Sequence, residues 1–238
     1  MHMPETRRTQ LDWKASLPYV APFLIFMAFT AGIEPRAGAW YPLIYGVKVV
    51  AVLAALIFFW RKFEELRARP SLGAVTLGFG VGVLVFAEWA FVETPRGDAT
   101  HGLIPPLPLM GAREGYNPFD KIESGAARLA FISVRMFGLA LLVPLMEELL
   151  WRSWLIRIIV KEDFKRVPMG TFTRASCLIS AGMFALVHPE WLSAFITGLA
   201  YNFVLYRTKN LWACVIAHAT TNLALGIYVL TTRTWNLW

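Results

Sequence analysis

A small set of polar residues at helical spacing, all in the second half of the chain, carries groups suited to chemistry on water. Glu147, Glu148 and Arg152 fall in one apolar stretch, His188 closes a second, and His218 and Asn222 share a third. Glu148 and Arg152 are four apart with the acid first, the favourable order for an ion pair on one helix face. Such a pair neutralises Glu148 and fixes the rotation of its helix. Glu147 is turned about 100° from Glu148 and points away from that arginine. His218 and Asn222, also four apart, project together, and His188 stands just before Pro189, where a helix is expected to stop. A carboxylate in a low-dielectric pocket can take a proton from water as a general base, and a neighbouring histidine can hold the same water and pass the proton on. A second imidazole and an amide supply donors for an oxyanion. One carboxylate, two imidazoles and one amide therefore suit hydrolysis of an amide bond. The chain carries no nucleophile elbow, phosphate loop or His-Glu-x-x-His zinc motif.

The elements that position these groups belong to a membrane. Of 238 residues, 57% are hydrophobic and 16% charged, against about 45–50% and about 25% in soluble domains. This composition excludes a disordered chain, a disulfide-rich secreted module and an ordinary soluble enzyme. The fold class expected is an all-α polytopic membrane protein, with about seven transmembrane helices (six to eight) around a cytoplasm-facing cavity. A span needs about 20 apolar residues. Candidates run over Ala15 to Ile33, Trp40 to Trp60, Leu72 to Val92, a long stretch from Ala126 toward Val160, Ala175 to His188, Trp191 to Tyr206, and Leu211 to Leu230. The first is too long for a signal peptide, and no cleavage site follows it. Between residues 93 and 125, Pro95, Pro105, Pro106, Pro108 and Pro118 forbid a continuous helix, and the apolar run Leu103–Met110 reads as a folded loop or interfacial segment. Residues 1–125 thus form a three-helix region with a Pro/Gly-rich loop, and residues 126–238 a motif-bearing core, within one integrated membrane domain.

The net charge of +7 comes without a basic stripe interleaved with aromatics, so no nucleic-acid partner is expected. With the N-terminus inside, fourteen Lys and Arg lie on inner segments and six on outer ones, which places the N-terminus in the cytoplasm. Counted from the inner ends of their spans, His218, Glu147 and His188 lie about seven, ten and fourteen residues deep, a range that allows one shared cavity. Cys177 and Cys214 sit in apolar stretches and read as buried thiols. Lys48, Glu88 and Arg135 fit no motif and are expected in internal pairs or snorkelling at the membrane edge. His2 and His101 read as solvated. Gly73, Gly78, Gly80 and Gly82 read as permitting close helix contact, and the aromatics as interfacial belts and core.

The runs Glu147-Glu148-Leu149-Leu150-Trp151-Arg152, Phe184-Ala185-Leu186-Val187-His188 and His218-Ala219-Thr220-Thr221-Asn222 resemble the EExxxR, FxxxH and HxxxN signatures of the CAAX protease and bacteriocin-processing enzyme family, in the family's order. The likeness covers about Arg128 to Leu230. The Ala21–Phe29 run and overall layout are similar to the CAAX prenyl protease-related proteins found beside bacterial exosortase systems. The resemblance implies an intramembrane endopeptidase of the bacterial inner membrane, acting on a membrane-associated or C-terminally anchored peptide, prenylated in the family's namesake case. It makes Glu147 the general base on water and His188 its partner, with His218 and Asn222 stabilising the oxyanion. Glu148, Arg152 and Phe184 become supporting residues. A metal-free glutamate-type mechanism is favoured; the alternative is a zinc ion held by Glu147, His188 and His218, a legitimate catalytic donor set. Two other functions compete: a proton-coupled transporter using the same Glu/His cluster as a relay, and a catalytically idle binding or immunity protein. No inverted repeat supports the carrier, and intact motifs speak against the idle form.

Overall fold

The computed structural model describes residues 12–95, 102–105 and 115–238, and all regular structure among them is helical. Most of the Leu103–Met110 run, with His2 and His101, lies outside the described residues. The principal helices are α1 (Trp13–Arg36), α2 (Gly38–Lys62), α3 (Leu72–Glu93), α4 (Gly125–Val160), α5 (Arg174–Leu186), α6 (Trp191–Thr208) and α7 (Leu211–Thr232). Four starts are set by side-chain caps. Asp12 accepts the backbone N–H groups of Lys14 and Ala15, Ser71 that of Ala74, Ser124 that of Ala127 at the start of α4, and Thr173 that of Ser176, each relieving an unpaired first-turn donor.

Five of the seven (α1 to α4 and α7) are long and apolar enough to cross a bilayer, and the protein is an integral membrane protein. The other two expected passes form a pair. Helix α5 has 13 residues, about 20 Å at 1.5 Å each, against a hydrocarbon core of about 30 Å; it turns at His188 and Pro189 into the 18-residue α6. Asn202 locks the two together, donating to the Cys177 carbonyl at 3.0 Å and the Ser180 hydroxyl at 2.9 Å. Helix α4 spans 36 residues, too long for one straight crossing, and contains π-helical segments at Gly138–Leu142 and Leu149–Leu155.

In lipid, helices associate by close packing and interhelical hydrogen bonds rather than by hydrophobic exclusion. Helix α3 lies so tightly on α7 that a Cβ added at Gly78 or Gly82 would stand 2.4 Å from the carbonyl oxygen of Ala213 or Ala217. Thr221 of α7 donates to the Gly82 carbonyl at 2.8 Å across this contact. Gly73 and Gly80 face open space, so only one edge of the glycine-rich helix serves the close approach. The turn between α2 and α3 is pinned from below α4. Glu65 accepts from Arg157 at 3.2 Å, from Ser153, and from Tyr19 of α1 at 3.2 Å. Lys48 pairs with Glu34 at 2.7 Å. Arg135 instead donates to the Tyr41 hydroxyl and lies over the rings of Tyr41, Tyr45 and Trp238. Cys177 and Cys214 are both free thiols, the second buried.

Because the Gly82 site has backbone on its far side, Gly82→Ala must separate α3 from α7. Overpacking of this kind costs about 1–3 kcal/mol. Thermal melts in detergent should show a clear loss of stability for Gly82→Ala and little change for Gly80→Ala; equal melting of the two would mean the helices are not in contact there.

Candidate active site

The site is built on the middle of α4. Glu147 and Glu148 end a six-residue α-helical segment, Val143–Glu148, held between the two π-helical ones. Wider π turns are frequent at functional sites, because they re-aim side chains and free carbonyl groups for other partners. Asn222 of α7 takes one such carbonyl, donating to Leu139 at 2.9 Å. Glu147 lies thirteen residues before the end of α4 at Val160, about 20 Å along the axis. It is therefore further from that end than the ten residues counted from sequence.

The two adjacent carboxylates have opposite surroundings. Glu148 is completely buried, and its Oε1 accepts from Arg152 at 3.2 Å and from His218 Nδ1 at 2.9 Å. Arg152 reaches on to the Gly198 carbonyl of α6 at 3.3 Å and lies over the rings of Phe184 and Tyr201. One carboxylate thereby gathers α4, α5, α6 and α7. Glu147 is also buried but forms no ion pair among the described residues; the Oε2 of each carboxylate lacks a hydrogen-bond partner there. The groups acting on Glu147 electrostatically are His218, Glu148, Arg152 and the indole of Trp151. Trp151, one turn on, was not singled out from sequence, although its i+4 spacing from Glu147 was readable there.

Both histidines are oriented through Nδ1. The Phe184 carbonyl lies 2.7 Å from His188 Nδ1; a carbonyl only accepts, so that nitrogen carries the proton and Nε2 of the neutral ring is the basic one. The same reasoning applies to His218 against the Glu148 carboxylate. Phe184, almost fully buried, stacks on His188 with ring centres 4.5 Å apart and presents an edge contact to His218 at 6.1 Å. It is the aromatic partition on which both imidazoles rest. Tyr201 lies against the other histidine at 5.2 Å and donates to Thr221 at 2.8 Å.

The expected site residues thus fall on three elements in two linked groups. Glu148 bonds both Arg152 and His218, Glu147 lies within electrostatic reach of all three, His188 joins through Phe184, and Asn222 sits one turn beyond His218 with an amide hydrogen committed to Leu139. Sequence reasoning missed the contribution of α3 and α6. Trp89 makes an edge contact with His188 at 6.3 Å and donates to Thr197 at 2.7 Å. Ser193 stands 2.8 Å from Glu88 and 2.6 Å from Glu93. No motif or local spacing marks these partners, which lie about a hundred residues apart. Among the described residues, no three His, Cys, Asp or Glu side chains are grouped so as to hold a metal ion.

Residues 129–224 match the family model described as type II CAAX prenyl endopeptidase, Rce1-like. The matched stretch contains Glu147, Glu148, Arg152, Phe184, His188, His218 and Asn222. Neither curated proteins nor solved structures yield a match to the chain.

Removing one partner from the buried carboxylate centre leaves an uncompensated charge, at a cost of about 3–5 kcal/mol. Arg152→Met should lower unfolding stability in micelles by that order. A loss below about 1 kcal/mol would show that Arg152 does not compensate Glu148 in the folded protein.

Proposed function

We propose, from the match of residues 129–224 to the family model described as type II CAAX prenyl endopeptidase, Rce1-like, that the chain is an intramembrane endopeptidase of glutamate type, hydrolysing a peptide bond of a membrane-associated or C-terminally anchored substrate. The observation that carries this reading is the contrast between the two adjacent carboxylates. Glu148 Oε1 is engaged by both Arg152 and His218, whereas Glu147, also buried, forms no ion pair among the described residues. Pairs of ionisable groups with divergent surroundings mark divided acid–base roles.

Glu147 takes a proton from water as that water attacks the scissile carbonyl, forming a tetrahedral oxyanion. His188, presenting Nε2, holds the same water and shares in passing the proton to the leaving amine. His218 and Asn222 lie on the opposite helix as oxyanion donors. With Nδ1 engaged by Glu148, His218 donates through Nε2 only when its ring is doubly protonated. Glu148 and Arg152 hold geometry and touch no reacting atom. The charge bias of the connections supports an N-terminus on the cytoplasmic side of the membrane, and the resemblance supports the bacterial inner membrane. Prenylated and unprenylated versions of one peptide distinguish whether the substrate must carry a prenyl group.

The test uses purified full-length protein in detergent with a prenylated C-terminal CAAX peptide and a library of unprenylated C-terminal peptides. Wild type should cleave at a defined bond. Glu147→Gln and His188→Ala should each lower kcat by about 100-fold or more while thermal melting persists, the range expected for loss of general acid–base catalysis. Cleavage by either variant at the wild-type rate removes the peptidase mechanism.

A further inference from the structure

The turn between α2 and α3 carries a feature unrelated to the carboxylate centre. Trp60, Arg61, Phe63, Leu66 and Arg67 line a cavity of about 390 Å³, within the size range of small-ligand sites. Its floor is apolar and fixed: Phe63 and Leu66 are buried, and Phe63 packs edge-on against Tyr19. Its walls are cationic. Arg61 and Arg67 are exposed, and among the described residues no carboxylate pairs with either. Of the two acids between them, Glu65 is turned inward and committed to Arg157 and Ser153, while Glu64 is exposed and pairs with neither. The Glu65 latch therefore withdraws one of the two nearby negative charges from the pair and ties the turn to α4.

The position of the cavity defines its occupant. It lies at the end of the apolar run of α2, where the candidate span Gly38–Lys62 closes, and the last apolar turn before it exposes Ile57 and Phe58. Trp60, half exposed at the rim, is the amphipathic side chain found at headgroup level. A molecule fitting all three surfaces has an anionic oxygen cluster for the two guanidinium forks, a polar neck beside the indole, and a chain that follows Ile57 and Phe58 into the bilayer. We propose that this cavity binds the headgroup phosphate of an anionic phospholipid, independently of the peptidase reading.

Native mass spectrometry of the full-length protein, released from detergent, tests this with three probes: phosphatidylglycerol, phosphatidylcholine and inorganic phosphate. Phosphatidylglycerol should be retained preferentially at one equivalent. Its affinity should fall by about tenfold in Arg61→Gln/Arg67→Gln, the loss expected when charge-assisted hydrogen bonds are removed. Lys165→Gln/Arg174→Gln, which removes the same charge from exposed positions elsewhere, should retain wild-type affinity. Both double variants replace exposed side chains, and their melting points report folding. Equal phosphatidylglycerol binding by the Arg61/Arg67 variant and wild type, or phosphatidylcholine bound as tightly as phosphatidylglycerol, overturns the proposal. Inorganic phosphate bound as tightly as phosphatidylglycerol overturns it in favour of a free-phosphate site.

Discussion

The architecture depends on compensating one buried negative charge. Glu148 has no contact with solvent, and an ionised carboxylate so placed costs several kcal/mol unless partners meet it with good geometry. Arg152 meets it from the same helix and His218 from α7. Arg152 is itself buried and needs the Gly198 carbonyl and two aromatic faces. Satisfying one carboxylate thus fixes the mutual positions of four helices. It also fixes the tautomer of His218, since the ring must present N–H toward Glu148.

That constraint explains how neighbours in sequence come to differ in role. Glu147 and Glu148 share a helix, a depth and a low-dielectric setting, and differ only in the direction each projects. One direction meets a guanidinium and an imidazole; the other meets an indole and, among the described residues, no ion-pair partner. The flanking π-helical turns hold the pair in this rotation, and the α3–α7 contact at Gly78 and Gly82 sets how closely the His218 helix can approach.

Much of this was legible in local spacing. The Glu148–Arg152 pair follows from an i, i+4 interval, the end of α5 before His188 from Pro189, and the membrane setting from runs of apolar residues. Lys48 found its internal partner as expected, in Glu34. What was not legible depends on distance in sequence. The bond between Glu148 and His218 spans 70 residues, and the Trp89–Thr197 bond 108; no periodicity encodes either. The π-helical turns were hidden because an apolar stretch reads alike with four or five residues to its hydrogen bonds. The α5–α6 pair read as two ordinary spans because hydropathy reports apolarity, and α5 is apolar but short.

The shortness of α5 has a consequence for the surrounding lipid. Its outward face, with Leu178, Ile179, Met183 and Leu186 exposed, borders the acyl chains over only 13 residues. A short hydrophobic flank is matched by local thinning of the bilayer, at a modest cost per ångström of mismatch. The headgroup layer would then dip beside the tip of α5, where His188 sits, bringing water and the ester-level region of the leaflet laterally close to a histidine that a membrane of uniform thickness would leave sealed in oil.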